Sequence, residues 1–258
     1  HEDCRRQRQM CIRDSMEAIG EVSVLTARTA RELVRPPFEL SLLVDQIASG
    51  GVESRTITLL TAVFTGMVMA SQFVIGLEPF GASVYTGSLV ALGIVRELGP
   101  VLTALLVSGR VGAGFAAELG SMAVTEQIDA IRCLGADPVR KLVVPRVVAM
   151  VIAMPLLTIL ADVIGCLGGA LITVVEVGVT PRFIIDQMID TIAPSDLLHG
   201  LSKSIFFGYF IAIISCWVGM KTRGGTVGVG NATTQTVVYI SVAILVSDFL
   251  LTRLFLAL

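Results

Sequence analysis

The chain has 258 residues, of which 54% are hydrophobic and only 16% are charged, and its mean hydropathy is +0.82. This balance is too apolar for a soluble domain, and a net charge of −2 leaves no basic footprint for nucleic acid. Two histidines and five scattered cysteines without a CxxC pair do not indicate a metal centre. Apolar runs of about twenty residues recur, which is the length a helix needs to cross a bilayer. The sequence therefore predicts an all-α, polytopic membrane protein.

The N-terminal part divides into two segments. Residues 1–15 are polar and arginine-rich without apolar periodicity, and we interpret them as a leader foreign to the fold, which then starts at Met16. In the region 16–51, apolar residues recur near helical spacing among charged ones, which predicts an amphipathic helix lying in the membrane interface. Pro36 and Pro37 are expected to break this helix.

The remaining residues, 52–258, form the predicted membrane domain. We predict five transmembrane spans, at residues 57–75, 85–107, 147–175, 201–220 and 236–256. In the third span, Pro155 can kink the helix, and Asp162 interrupts the apolar run. Gly165 and Gly169 have the small-xxx-small spacing that lets helices approach closely. Residues 176–196 are predicted to be a polar, acidic connection.

The distribution of lysine and arginine predicts the orientation in the membrane. The loop after the first span has no basic residue, and the connection after the third has only Arg182. The segment before the first span is basic, as are the loop with Lys221 and Arg223 and the connection after the second span. We therefore predict a cytoplasmic N-terminus and, with an odd number of spans, a C-terminus outside.

A polar helical hairpin, residues 118–146, separates the second and third spans. Thr125 is placed to cap a short helix, with Glu126 and Asp129 in its first turn, where the helix dipole favours negative charge. Gly135 is placed to end this helix. Asp137 and Pro138 are then expected to start the next one, as the cap and the first helical residue.

The apolar face of this short helix is predicted to comprise Ile128, Ile131 and Leu134. Such a helix can pack into a groove on a partner protein, or it can lie on the lipid headgroups. The pattern itself leaves both interpretations open.

Four ionisable residues lie at predicted membrane depth: Arg96, Glu97, Asp162 and Asp248. Such residues are costly in lipid and mark functional interiors, although pairing across helices is an equally good account of Arg96 and Glu97. For Asp162 and Asp248 we favour a structural role in fixing helix packing. The chain has no Gly-Lys-Ser/Thr phosphate-binding loop, so any ATP-driven mechanism needs a separate ATPase chain.

Several separated motifs resemble the MlaE-type ABC permeases, from about Met16 to the C-terminus. They are Arg96-Glu97-Leu98-Gly99-Pro100, the segment 125–130, Asp137-Pro138, Pro145-Arg146 and the segment 228–234. The resemblance implies a homodimeric permease subunit of a phospholipid transporter in the bacterial inner membrane, which maintains the lipid asymmetry of the outer membrane. It also implies a cytoplasmic ABC ATPase that uses ATP and Mg²⁺, a STAS-domain protein and a periplasmic MCE-domain protein, with no cofactor bound by this chain.

The resemblance assigns two sets of site residues. The hairpin helix becomes the coupling helix, which contacts the ATPase through Thr125, Glu126, Ile128, Asp129, Ile131 and Leu134. A cavity between two copies, lined by the first, second and fifth spans, is expected to hold the lipid. The expected lipid contacts are Arg96, Glu97, Leu98, Tyr85, Phe73 and Met69, although Tyr85 and Phe80 also suit aromatic anchors at the membrane surface.

Three other functions compete with this one. A proton-coupled secondary transporter would use Asp162, Asp248 or Glu97 as a relay and would need no partner. A related system would carry sterols or other hydrophobic substrates. A membrane scaffold would bind no lipid cargo.

Overall fold

A computed structural model describes residues 2–33 and 40–257, and all regular structure in these ranges is helical. The predicted break at Pro36 and Pro37 lies outside the described residues. Eleven α-helices are defined in the described ranges: α1 (Glu2–Leu33), α2 (Leu40–Gly50), α3 (Arg55–Leu77), α4 (Thr86–Gly93), α5 (Gly99–Val107), α6 (Ala113–Val124), α7 (Gln127–Cys133), α8 (Val144–Val177), α9 (Pro181–Thr191), α10 (Pro194–Lys221) and α11 (Gly225–Ala257).

Five helical segments of the described chain are long and apolar enough to cross a membrane. They are Leu42–Phe80, Ser83–Val124, Val139–Val177, Pro194–Lys221 and Gly225–Phe255. The prediction of an all-α polytopic protein is therefore confirmed. The second segment continues to Val124 and the third starts before Val144, so most of the predicted polar hairpin belongs to these long helices.

The second segment is not a regular α-helix. Two single π-helical turns, Ile94–Leu98 and Ser108–Gly112, separate α4, α5 and α6. A π-turn inserts one residue into the helical repeat and re-aims the side chains next to it, and such turns are frequent at functional sites. The first one carries Arg96 and Glu97 and is followed by Gly99 and Pro100, and Pro100 lacks the N–H of a regular helix.

Helices α3 and α8 cross with their backbones nearly in contact. A Cβ atom on Gly66 would lie 1.9 Å from the carbonyl oxygen of Gly165, and one on Gly168 would lie 2.6 Å from that of Val63. Gly169 is equally restricted, because a Cβ there would meet a methyl group of Val90 at 2.6 Å. The predicted close approach at Gly165 and Gly169 is therefore observed.

The main apolar core lies between α6, α8 and α10, where Leu119, Met150, Phe207 and Ile211 are fully buried. Helices α3 and α11 lie at the periphery instead. Their outward faces expose large apolar side chains, namely Leu60, Phe64 and Val68 on α3 and Leu245, Val246, Phe249 and Leu250 on α11. Both faces are apolar enough to contact lipid or another protein.

Helix α1 packs against the rest of the protein through one face. Leu25 and Thr29 are buried, with Leu25 part of the main core, while Ile19 remains exposed. Glu21 accepts hydrogen bonds from Lys221 and Trp217 near the end of α10. The backbone of α1 begins at Glu2, so it also includes most of the segment interpreted as a leader.

The third span and the connection that follows it contain more regular helix than the sequence pattern indicates. Helix α8 runs unbroken from Val144 to Val177, although it contains both Pro155 and Asp162. The predicted polar connection 176–196 contains α9, whose Ile184 and Met188 are buried in a second apolar cluster with residues of α4. An amphipathic helix therefore covers this end of the bundle.

Candidate functional site

Helix α7 connects the long second and third segments, and its ends differ in part from the prediction. Thr125 does not cap it, because its hydroxyl donates to the carbonyl oxygen of Ser121 within the preceding helix. Glu126 occupies the cap position instead, with a left-handed φ of 59° that few non-glycine residues adopt, and only Asp129 lies in the first turn.

The C-terminal end of α7 agrees with the prediction. Gly135 has a φ of +78°, and its N–H and that of Ala136 donate to the carbonyl oxygens of Arg132 and Ile131. This is the glycine-ended arrangement known as the Schellman motif. Asp137 then accepts a hydrogen bond from the N–H of Val139 at 2.9 Å, so it caps the next helix as predicted.

The three residues predicted as one apolar face of α7 lie in different environments. Ile128 is buried inside the chain, Ile131 is half-buried, and Leu134 is 85% exposed just beyond the last turn. The predicted continuous face is therefore wrong, because Ile128 is already used by the fold. Leu134 is the large apolar side chain that this region offers to a partner.

Arg146 joins the two helices that flank α7. Its guanidinium lies 2.7 Å from the carboxylate of Glu118 on α6, donates to the carbonyl oxygen of Leu142 and covers the ring of Phe115. The Arg146 side chain is only 4% exposed, whereas Glu118 is 55% exposed. A buried arginine with these contacts fixes the distance between α6 and α8 on either side of α7.

Lys203 on α10 is the centre of a charged cluster at membrane depth. Its Nζ lies 2.5 Å from Oε2 of Glu97 and 2.9 Å from Oδ1 of Asp248, the latter at ion-pair distance without hydrogen-bond geometry. It also donates to the hydroxyl of Thr252 at 2.7 Å. The Lys203 side chain is 1% exposed, so the cluster links α10 to the π-turn and to α11 in the interior.

The local backbone explains why Lys203 reaches this place. The missing N–H of Pro100 leaves the carbonyl oxygen of Arg96 without its normal helical partner, and Lys203 donates to that oxygen at 3.2 Å. One turn before Lys203, a Cβ on Gly200 would lie 2.3 Å from the carbonyl oxygen of Val95. A glycine at position 200 therefore lets α10 approach the π-turn closely enough for the lysine to bind there.

Arg96 forms a second ion pair with α10, because its Nε lies 3.3 Å from Oδ1 of Asp196. The carboxylate of Asp196 also accepts a hydrogen bond from the N–H of Ala193 at the start of this helix. Arg96 and Glu97 thus both pair across helices, which was one of the two accounts considered for them. The π-turn presents these adjacent residues to the same partner helix.

The two charges also open into a pocket of approximately 330 Å³ between the π-turn, α10 and α11. Arg96 and Glu97 are 38% and 41% exposed there. The ring of His199 stacks on that of Phe255, with centroids 4.6 Å apart. The lining residues are Leu92, Gly93, Arg96, Glu97, His199, Lys203, Thr252 and Phe255.

The other predicted lipid contacts do not reach this pocket. Leu98 faces a separate small cavity against α3 and α8, and Met69 lines a groove on the outer face of α3. Phe73 packs against the second apolar cluster, and Tyr85 is exposed near the start of the second segment. Asp162 is also apart, packed against Gly99 with an Oδ1 that has no hydrogen-bond partner among the described residues.

Lys203, Asp196, His199 and Thr252 were not identified from the sequence as site residues. The signal for Lys203 was present, because position 203 lies inside the predicted span 201–220 and a lysine there is at membrane depth. The partners of Lys203 depend on the π-turn and on the crossing at Gly200, which sequence spacing does not reveal.

Five membrane-length helices around a buried charge cluster that opens into a pocket define a polytopic membrane protein. Residues 43–254 match the family Permease MlaE. A Rickettsia conorii protein named as a probable ABC transporter permease is 41% identical over 239 residues, which cover 93% of this chain and 92% of that protein. The chain belongs to the MlaE permease family.

Two further relatives come from different organisms. The Haemophilus influenzae intermembrane phospholipid transport system permease protein MlaE is 38% identical over 244 residues, 93% of each chain. The chloroplastic protein TRIGALACTOSYLDIACYLGLYCEROL 1 of Arabidopsis thaliana is 37% identical over 234 residues, which cover 91% of this chain and 67% of that protein. The resemblance found in the sequence motifs is thus confirmed.

Proposed function

We propose that this chain is the membrane subunit of an ATP-driven phospholipid transporter and that the pocket at Arg96 and Glu97 receives the lipid headgroup. The observation that carries the proposal is the exposure of both charges at membrane depth, although each also forms an ion pair inside the protein. A charged pocket in this position is costly unless it serves a polar ligand. The name of the Haemophilus influenzae relative, which specifies phospholipid transport, supports the same substrate class.

We further propose that two copies of the chain enclose the lipid. The outward faces of α3 and α11 are apolar, and the groove around Phe64 and Met69 lies on one of them. Five spans are few for a cavity that holds a two-chain lipid, and a two-fold dimer would double the enclosing wall. The acyl chains would then lie against α3 and α11, beside the headgroup pocket.

The energy source in this proposal is a separate ATPase that docks at α7. The exposed Leu134 provides an apolar contact, and the Arg146–Glu118 pair connects α6 and α8 firmly beneath it. A movement of α7 would therefore move both long helices together. In the proposed assembly, α7 lies in the cytoplasm and the C-terminus lies in the periplasm. An MCE-domain protein and a STAS-domain protein are further subunits. The role of the assembly is to maintain the lipid asymmetry of the outer membrane.

The competing proton-coupled mechanism would use Asp162, Asp248 or Glu97. Asp162 lies apart from the pocket, packed against Gly99. Glu97 and Asp248 have less support as relays, because both lie against the buried ammonium of Lys203. A relay carboxylate needs to exchange its proton freely, whereas these two carboxylates compensate a cation.

The test is mass spectrometry of lipids bound to the purified dimer, together with the double variant Arg96→Gln, Glu97→Gln. The proposal predicts bound phospholipid that decreases in the variant while the dimer peak in size exclusion persists. Bound sterol, or phospholipid that is retained unchanged in the variant, would contradict it.

A further inference from the structure

The pocket beside the π-turn has an uneven charge distribution, which bears on the headgroup it accepts. The described side chains that form its ion pairs are two cations, Arg96 and Lys203, and three carboxylates, Glu97, Asp196 and Asp248. Counted in their ionised forms, they leave one net negative charge. This count rests on contacts within the chain and does not depend on a partner.

Among the three carboxylates, Glu97 is the one that lines the pocket, and its side chain is the most exposed. Lys203 is compensated twice, by Glu97 and by Asp248, so its single positive charge does not neutralise both carboxylates. Because Lys203 is buried and Glu97 is 41% exposed, a ligand meets the carboxylate and not the ammonium. A second cation, supplied by the ligand, would complete the pairing of Glu97.

An aromatic wall lies in the same pocket. His199 and Phe255 stack with their ring planes 5° from parallel, and both line the space next to Glu97. Ligand ammonium groups bind favourably against aromatic faces, and a nearby carboxylate strengthens that binding. Arg96 also lines the pocket, and its guanidinium can donate hydrogen bonds to a phosphate.

We propose that this pocket selects phospholipids whose headgroup carries an amine, with the ammonium at Glu97 and the Phe255 ring and the phosphate at Arg96. Zwitterionic lipids such as phosphatidylethanolamine are therefore favoured over anionic lipids such as phosphatidylglycerol, whose glycerol headgroup brings no positive charge to Glu97. The inference rests on the proposed phospholipid function and adds the headgroup class to it.

The experiment is a competition inside nanodiscs that contain equal amounts of phosphatidylethanolamine and phosphatidylglycerol with the same acyl chains. Lipids that remain bound when the dimer is released are counted by native mass spectrometry. We expect the wild-type dimer to prefer phosphatidylethanolamine by roughly tenfold, the effect of one charge-assisted hydrogen bond. Glu97→Gln should abolish the preference, whereas Glu97→Asp, which keeps the charge, should retain part of it.

Two further variants make the result specific. Phe255→Leu removes the phenyl ring proposed to bind the ammonium, leaves His199 in place and changes no ion pair. It should therefore weaken the preference, and it tests the inference even if Glu97→Gln does not fold. Glu176→Gln is the matched control, because this exposed carboxylate binds Ser71 outside the pocket, and it should leave the preference unchanged. Phospholipid bound in equal proportions, or a preference for phosphatidylglycerol, overturns the inference alone. Absence of bound phospholipid in the wild-type dimer overturns the proposed function and the headgroup class together.

Discussion

The ammonium of Lys203 lies 2.5 Å from the carboxylate of Glu97 and is almost completely enclosed by α10, α11 and the π-turn. The residues stand 106 positions apart in the sequence. Together with the Lys203–Asp248 pair, their contact joins the π-turn, α10 and α11 beside the pocket. This cluster is sensitive to the loss of the ammonium, because Glu97 and Asp248 would then lie close together without a cation.

The first prediction concerns this charge. Lys203→Met should destabilise the protein by about 3 kcal/mol, since Glu97 and Asp248 would face each other without a cation. Thermal unfolding in detergent measures the effect. The triple variant Lys203→Met, Glu97→Gln, Asp248→Asn removes all three charges and should recover most of the stability but not lipid binding. Equal stability of Lys203→Met and the wild type would mean that the cluster does not form.

The second prediction concerns Arg146. Arg146→Gln should leave α7 attached to α6 and α8, but the distance between α6 and α8 should no longer be fixed. In the complete transporter, ATP hydrolysis should continue while the lipid transferred per ATP falls several-fold. Arg182→Gln is the control, because Arg182 forms an exposed pair with Asp186 at the other end of the bundle and should have no effect. An unchanged transfer ratio in Arg146→Gln would show that the pair has no part in coupling.

Most of the fold could be predicted from the sequence, because the length of each apolar run of residues directly reflects the thickness of the bilayer. The cap at Asp137 and the stop at Gly135 were equally predictable, since both depend on short-range backbone chemistry. Helix α9 was not recognised, because the acidic residues on its exposed side obscure the buried positions Ile184 and Met188. The cap at Thr125 was wrong, because the preceding helix continues to Val124 and uses its hydroxyl.

The site was predicted less completely than the fold. Arg96 and Glu97 stood out because charge at membrane depth is costly, and the structure places both in one pocket. Their partners on α10 could not be inferred, since a π-turn changes the helical phase without a clear sequence signal. Ile128, in contrast, was assigned to a partner surface although the chain itself buries it. Helical spacing alone does not show which end of an apolar stripe is buried within the chain.

The third prediction tests the crossing of α3 and α8. Gly66→Ala should destabilise the protein by about 1–3 kcal/mol, because the new methyl group would overlap the carbonyl oxygen of Gly165. Gly76→Ala is the control, because a Cβ at Gly76, further along α3, would have no atom within 4 Å. This variant should be neutral or slightly stabilising. Thermal unfolding of the two variants side by side gives the comparison. Equal midpoints would contradict the close crossing.

The fourth prediction concerns pH and the attachment of α1. Hydrogen bonds from Lys221 and Trp217 lower the pKa of Glu21 below its ordinary value of 4.5. These contacts therefore stabilise α1 against α10 at neutral pH and are lost as the pH falls below 4.5, through the lowered pKa. Trp217 is the single tryptophan of the chain, so its fluorescence reports on this change.

A titration from pH 7 to pH 3 should show a change in Trp217 emission at the acidic end. Glu21→Gln should lack that transition, whereas Glu17→Gln, an exposed residue of the same helix, should keep it. The same transition in Glu21→Gln would mean that another group reports on Trp217.

The fifth prediction separates the two ends of the apolar stripe on α7. Leu134→Ala should weaken binding of the ATPase by about tenfold without affecting stability, because an exposed leucine contributes only when the partner covers it. Ile128→Ala should instead lower the stability of the isolated permease. A pull-down of the ATPase and a melting curve distinguish the two effects. Unchanged ATPase binding by Leu134→Ala would place the docking surface elsewhere, for example on the loop that follows Lys221.

The most direct test of ATP-driven transport is lipid transfer by the permease and its ATPase reconstituted in proteoliposomes. Labelled phospholipid is followed with and without ATP, in the presence and absence of an uncoupler that removes the proton gradient. We predict transfer that requires ATP, persists with the uncoupler and is lost in the variant Arg96→Gln, Glu97→Gln. Transfer that proceeds without ATP and stops with the uncoupler would contradict this mechanism and identify a proton-coupled transporter.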